Sequence, residues 1–155
     1  MKVATLCYPV ADGRVLLGMK KKGFGEGKWN GFGGKVQPGE TIEQAAVREL
    51  AEESGLFAVP ELLAKVARLS FAFGDIAMFD GHVYLASVWG GEPQETEEMR
   101  PQWFALTDLP WELMWPSDRF WLERALSGSP LRGVCRFDEE GETVERFELL
   151  DGLEV

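Results

Sequence analysis

Three glutamates, Glu49, Glu52 and Glu53, stand at i, i+3 and i+4, which crowds three carboxylates onto one helical face within a single turn. Like charges at that spacing repel by roughly a few tenths of a kcal/mol per pair in water, and by more where they are partly buried. A hard divalent cation reverses the sign of that cost, because Mg²⁺ prefers carboxylate and phosphate oxygens and keeps several waters. The glycines at 33 and 34 would let backbone carbonyls approach such a cation closely. An acidic helix face is also ordinarily just solvated, so the three glutamates alone leave metal binding and a plain surface both open.

The element that must carry them is a helix over Thr41–Ser54. Thr41 is its N-cap, acidic residues follow in the next turn, and Gly55 stops it. Ile42, Ala45, Ala46, Leu50 and Ala51 give it an apolar face to pack. Before it, Val3–Val10 and Arg14–Met19 read as strands joined at Ala11-Asp12-Gly13. Lys20–Trp29 reads as a basic glycine-rich loop and Asn30–Gly34 as a short strand. After it come strands Leu62–Phe73 and His82–Trp89, the second following an Asp80-Gly81 turn, and then Gln102–Leu106. Leu109–Met114 reads as a short element, and Pro116 can open a helix running to about Leu126. Gly133–Phe137 and Thr143–Leu150 form a closing hairpin around Asp138–Gly141. Strands around two helices predict an α+β chain, with helices sandwiching a mixed sheet.

The glutamates belong to a longer pattern: Gly34, five residues, Glu40, seven residues, then Arg48-Glu49-Leu50-Ala51-Glu52-Glu53-Ser54-Gly55-Leu56. This resembles the signature of the Nudix hydrolases at every fixed position. From average residue usage, a chance match at one start position is on the order of one in a billion or less. The resemblance implies the Nudix fold, an α/β/α sandwich around a mixed sheet, as a single domain over residues 1–155. It also implies Mg²⁺, with Mn²⁺ as the alternative ion, held by Glu49, Glu52, Glu53 and the Gly33 carbonyl. Arg48 and Glu40 read as a pair keeping loop and helix in register. Lys35 either screens the acidic cluster or contacts phosphate.

Further segments are similar to one branch of that family, the mammalian-type MutT homologues that hydrolyse 8-oxo-dGTP. They are Val15–Lys21, Gly23-Phe24-Gly25, Trp29–Gln37, Glu98–Pro101 and Met114-Trp115-Pro116, with Asp118 and Trp121 beyond. By that resemblance Asn30 and Asp118 bond the purine edge, Trp115 stacks on the base, and Phe24, Phe71 and Phe79 wall the pocket. Thr5 and Lys20 lie near the sugar and base. Phe32, Gly33, Gly34, Lys35 and Ser117 complete the substrate contacts, and Glu98 joins the metal ligands and the catalytic set of Glu49, Glu52, Glu53 and Arg48. Phe71 and Phe73 alternate with Ser70 and Ala72 on one strand, so that one face could line a pocket or pack as core. The other assignments have plain alternatives too: Trp115 could be core, and Asn30 beside a glycine could be a turn residue. Two positions depart from the branch. Ser117 stands where it has the first of two aspartates, and Phe79 where it has methionine. A hydroxyl donates or accepts, whereas an ionised carboxylate only accepts, so Ser117 bears on which purines are taken.

The expected reaction is Mg²⁺-dependent hydrolysis of oxidised or otherwise modified purine nucleoside triphosphates to a monophosphate and pyrophosphate, that is, nucleotide-pool sanitation. Other Nudix substrates (ordinary dNTPs or a dinucleotide) and a non-catalytic nucleotide sensor are the alternatives. The chain offers no rival machinery: His82 is its single histidine and reads as structural, and no serine or cysteine nucleophile sits in a recognisable motif. A formal net charge of −10 argues against long nucleic acids but not against a triphosphate bridged by cations. No apolar run approaches a membrane span, and the start of the chain does not resemble a signal peptide. The expectation is a monomeric cytoplasmic protein with no membrane partner. Cys7 and Cys135, far apart and in no metal-ligand spacing, read as reduced core residues.

Overall fold

The computed structural model describes residues 1–150. Eight strands and two helices follow in chain order. They are β1 (Lys2–Ala11), β2 (Arg14–Lys20), β3 (Trp29–Asn30), α1 (Ile42–Ser54), β4 (Ala64–Phe73), β5 (Ile76–Ala86), β6 (Met99–Ala105), α2 (Asp118–Leu126), β7 (Leu131–Phe137) and β8 (Val144–Leu150). The sheet runs β3-β2-β1-β5-β4-β7-β8, with β6 on the other edge of β2. It is mixed: β1 runs parallel to β5 and β4 to β7, while the other pairs are antiparallel. The hairpin β1–β2 pairs only beside its turn, at Val10↔Val15 and Ala11↔Arg14. Beyond that the two strands diverge. The segment after β3 fills the gap, bridging β1 at Cys7↔Phe32 and Ala4↔Lys35.

Alternation along the strands sends apolar side chains to both faces. Tyr8, Val15 and Leu17 pack with Trp121, Leu122, Ala125 and Leu126 of α2. Cys7, Leu16 and Phe32 pack with Leu50 and Leu56 at α1. The sheet is thus covered on both sides, the sandwich expected. Helix α1 starts where the sequence predicts. Thr41 Oγ1 accepts the Gln44 N–H (3.1 Å), and the Gln44 side chain accepts the Thr41 N–H (2.8 Å), a reciprocal cap. Gly55 closes it in the left-handed region (φ 79°), donating its N–H to Ala51.

The turn expected at Asp80-Gly81 is not one. Both lie inside β5, opposite Ser70 and Leu69, and the chain reverses instead at Gly74-Asp75. An Asp-Gly pair is a strong local turn signal, but here Arg68 grips Asp80 through two bonds of 3.0 Å each. The cross-strand pair overrides the local preference. The predicted Asn30–Gly34 strand shrinks to Trp29–Asn30 followed by isolated bridges, and the second helix begins at Asp118 rather than Pro116. Cys7 and Cys135 are buried free thiols, and burial pushes them up to about 12 and about 11. Among the described residues no helix is long and apolar enough to cross a membrane.

Candidate active site

Where the strands diverge, a cavity of about 970 Å³ opens between α1 and the β4–β5 hairpin. At one end, α1 supplies Glu49, Glu52 and Glu53. Arg48 organises this end. Its Nε and Nη2 hold the two Glu40 oxygens (3.0 and 2.7 Å), Nη1 reaches Glu49 (2.8 Å) and Glu52 (3.3 Å), and Nη2 donates to the Lys35 carbonyl (3.2 Å). The pairing with Glu40 is the one expected; it holds Glu40 below the ordinary carboxylate range and raises Arg48.

Glu53 is 4% exposed. Burial, opposed by a bond from the Gly33 N–H to Oε1 (2.9 Å) and reinforced by the nearby Glu49, pushes its carboxyl up to about 8. The two glycines are steric necessities. A Cβ on Gly33 would strike the Thr5 carbonyl of β1, and one on Gly34 would lie 2.6 Å from Glu49 Oε1. Glu98 joins from the start of β6, but its carboxylate is paired with Lys20 Nζ at 3.0 Å. Lys20, expected by the sugar and base, thus directs its ammonium to the carboxylate end.

Sequence reasoning missed Thr96, which brings Glu98 there. Its hydroxyl donates to the Glu53 carbonyl (3.2 Å) and accepts the N–H groups of Glu98 and Met99 (3.3 and 3.2 Å). Among the described residues, no three His, Cys, Asp or Glu side chains form an assembled metal-binding cluster. Arg48 is paired with Glu49 and Lys20 with Glu98. The donor set still fits a hard divalent cation: oxygen ligands only, and a buried carboxyl whose charge is relieved by a nearby positive ion.

The other end is aromatic. Phe71, Phe73, Met78, Phe79, Trp115 and Phe137 line it, with Asn30, Ser117 and Asp118 as the polar groups. Alternation on β4 puts Phe71 and Phe73 on one face, as the sequence suggested. Trp115 packs on Phe24 with ring centroids 5.1 Å apart at 31°, and the Lys28 ammonium lies 5.0 Å over its ring. Asn30 Oδ1 accepts twice, from Tyr8 Oη (3.2 Å) and the Gly31 N–H (2.8 Å), which leaves the amide N–H₂ for a ligand. Asp118 is 3% exposed and its Oδ2 has no hydrogen-bond partner. Burial pushes it up to about 8. Ser117 is buried beside it, against Cys135.

The cavity therefore gathers Thr5, Lys20, Phe24, Asn30, Gly33, Gly34, Lys35, Phe71, Phe79, Trp115, Ser117 and Asp118 with the four glutamates. Phe32 departs from expectation: it does not line the cavity. Paired with Cys7 of β1, it shares that residue's face and packs under α1. Thr5 lines the cavity with its hydroxyl directed to the Gly34 carbonyl at 3.4 Å. Met78 and Phe137 were not singled out; no local spacing links them to the rest. Trp29 and Trp121 are core as expected, and Trp103 packs against Trp89. His82 is buried with Nε2 3.3 Å from Asp80, away from the cavity.

Comparison with known proteins identifies the family. The sequence profile described as the NUDIX domain matches residues 1–125. The "Oxidized purine nucleoside triphosphate hydrolase" of Danio rerio is 50% identical over 145 residues, covering 93% of this chain and 92% of the relative. The protein of the same description from Mus musculus is 48% identical over 140 residues, covering 90% and 88%. Among solved structures, a mutator MutT protein from Bacillus halodurans superposes with a TM-score of 0.81 at 23% identity, covering 96% of this chain and 97% of that one. That structure speaks to the fold alone.

Proposed function

This chain belongs to the Nudix family, and from that premise we propose that it hydrolyses oxidised or otherwise modified purine nucleoside triphosphates to a monophosphate and pyrophosphate, clearing them from the nucleotide pool. The observation that carries the reading is one cavity with two unlike ends: three helical carboxylates at one, and a buried Asp118, its carboxyl pushed up by burial, among aromatic rings at the other. The two relatives named for oxidised purine nucleotides, each near half identical over most of the chain, support the substrate class.

Glu49, Glu52, Glu53 and Glu98, with the Gly33 carbonyl, would hold a divalent cation, Mg²⁺ first. Bound there, it would neutralise phosphate charge and stabilise the leaving oxygens. The chain's own part is positioning. Arg48 fixes Glu49 and Glu52 to the loop through Glu40 and the Lys35 carbonyl. The Gly33 N–H fixes Glu53 through Oε1, leaving Oε2 for the phosphate end. Trp115 supplies a flat face for the purine. The Asn30 amide donates, and the neutral Asp118 can both donate and accept at the base edge. Water attacks phosphorus, the bond between the first and second phosphates breaks, and pyrophosphate leaves.

The test is a kcat/KM panel with Mg²⁺ across oxidised, methylated and ordinary purine triphosphates, with pyrophosphate release as readout. We expect release, fastest for a modified purine. Equal rates for 8-oxo-dGTP and dGTP would sink the sanitising role, and no release from any nucleotide would leave a binding protein.

A further inference from the structure

We infer that Lys2 and Lys35 form a paired cationic seat for the terminal phosphates, the part of the substrate that leaves as pyrophosphate; this rests on the triphosphate reading above. The placement follows from register. Ala4 of β1 is bridged antiparallel to Lys35, and the Val36 N–H donates to the Val3 carbonyl at 3.0 Å. Lys2 is two residues from Ala4, so it shares Ala4's face and stands diagonal to Lys35, a separation of about 7–8 Å between backbones that long side chains easily close. The two side chains do meet. Ala4, Lys35 and Gln37 all line the cavity, and so does Phe79, the β5 neighbour of Lys2. Lys2 is not itself in the lining, and this register sets it at the edge of the same opening.

The end of the cavity is fixed as well. Lys35 directly follows Gly34, which abuts the Glu49 carboxylate, and its carbonyl is held by the arginine that grips Glu49 and Glu52. Asp118 and Trp115 belong to the opposite end.

Placement makes this pair unusual. The chain has 26 acidic and 16 basic residues, and Lys20, Lys21, Arg48, Arg68, Arg119, Arg136 and Arg146 take a carboxylate partner. Lys2 and Lys35 are among the remaining basic residues, which take none among the described ion pairs, and these two lie against each other instead. Screening of the acidic cluster is not Lys35's task, since Arg48 already holds Glu49 and Glu52. Two ammonium groups side by side at a cavity rim repel until an anion lies between them, and a polyphosphate tail offers several oxygens to both.

Calorimetric titration of inorganic pyrophosphate, with Mg²⁺, into wild type, Lys2→Met, Lys35→Met and Lys2→Arg tests this without turnover. Each methionine variant should bind pyrophosphate about fivefold to tenfold more weakly, and Lys2→Arg within about twofold of wild type. Purine nucleoside monophosphate affinity should be the same in all four proteins. In turnover, KM for the triphosphate should rise by more than kcat falls. Unchanged pyrophosphate affinity in Lys2→Met would overturn the proposal, as would an equal loss of monophosphate affinity, which would mean a general effect on the fold or the base end. If wild type hydrolyses no triphosphate, the function reading fails while the pyrophosphate titration still decides the cation pair.

Discussion

The two ends of the cavity each bury a carboxyl group that burial lifts to about 8, Glu53 at one and Asp118 at the other. The groups are alike in direction and unlike in company. Around Glu53 stand further carboxylates, Glu49 and Glu98, and a backbone N–H that favours its charged form. Around Asp118 stand aromatic rings, and burial is the single cause of its shift. A cation relieves the first group by letting it ionise. A ligand's donors and acceptors relieve the second while it stays neutral. One fold thus raises two acids in the same direction and prepares them for opposite fates.

The largest expected effect comes from deleting the ionisable group at the crowded end. Glu53→Gln keeps shape and the Gly33 bond but cannot take the charge, and kcat/KM should fall by about a thousandfold or more, mostly in kcat. At the aromatic end, Trp115→Ala should cost about tenfold to a hundredfold, mostly in KM, since base stacking contributes ~1–3 kcal/mol. Steady-state kinetics on both variants with one modified purine triphosphate checks the split. A kcat loss in Trp115→Ala as deep as that in Glu53→Gln would erase the division of labour between the ends.

The carboxylate end was legible in the sequence because it is local. Thr41, Gln44 and Gly55 bound the helix, the glutamates follow its period, and Arg48 with Glu40 closes the loop onto it within nine residues. The aromatic end has no such grammar. Asn30, Phe71, Trp115 and Asp118 come from separate elements, and resemblance alone brought them together before the fold did. Met78 and Phe137 escaped because their place depends on how β4, β5 and β7 pair. The false turn at Asp80-Gly81 has the same origin, a long-range contact with Arg68 overruling a local signal. Thr96 was invisible because its hydroxyl acts on α1 across 43 positions of chain.

Titration offers a way to separate the two acids in one experiment. A carboxyl whose folded value is raised binds more protons in the native than in the unfolded state. Both groups therefore contribute stability at low pH that is lost as pH rises from the ordinary carboxylate range through about 8. Without metal, thermal stability should decline by several degrees between pH 5 and pH 9, and Glu53→Gln and Asp118→Asn should each flatten part of that slope. Mg²⁺ should flatten the part that Glu53→Gln removes and leave the Asp118 part in place. Melting curves of the three proteins with and without Mg²⁺ decide it. If Mg²⁺ erased the whole slope in wild type, the acids would not be independent.

The smallest expected effect concerns Ser117, where substrate choice is tuned rather than made. Its hydroxyl is buried next to Asp118 and against Cys135, so Ser117→Asp would place a second carboxyl where one is already kept neutral by burial. Two adjacent acids in so little water cannot both ionise, and the pair would share its charge over two steps. The edge offered to the purine would then change from one neutral acid beside a hydroxyl to a neutral acid beside a carboxylate, which accepts only. The gain or loss of one such bond shifts discrimination by about tenfold, far below the effect of losing Glu53. We expect the ratio of kcat/KM between oxidised and ordinary purines to move by that amount, and KM to become pH-dependent across a wider range than in wild type. A pH series on two substrates measures both. An unchanged ratio with an unchanged profile would place Ser117 in the floor of the cavity without a part in reading the base, and leave recognition to Asn30, Trp115 and Asp118.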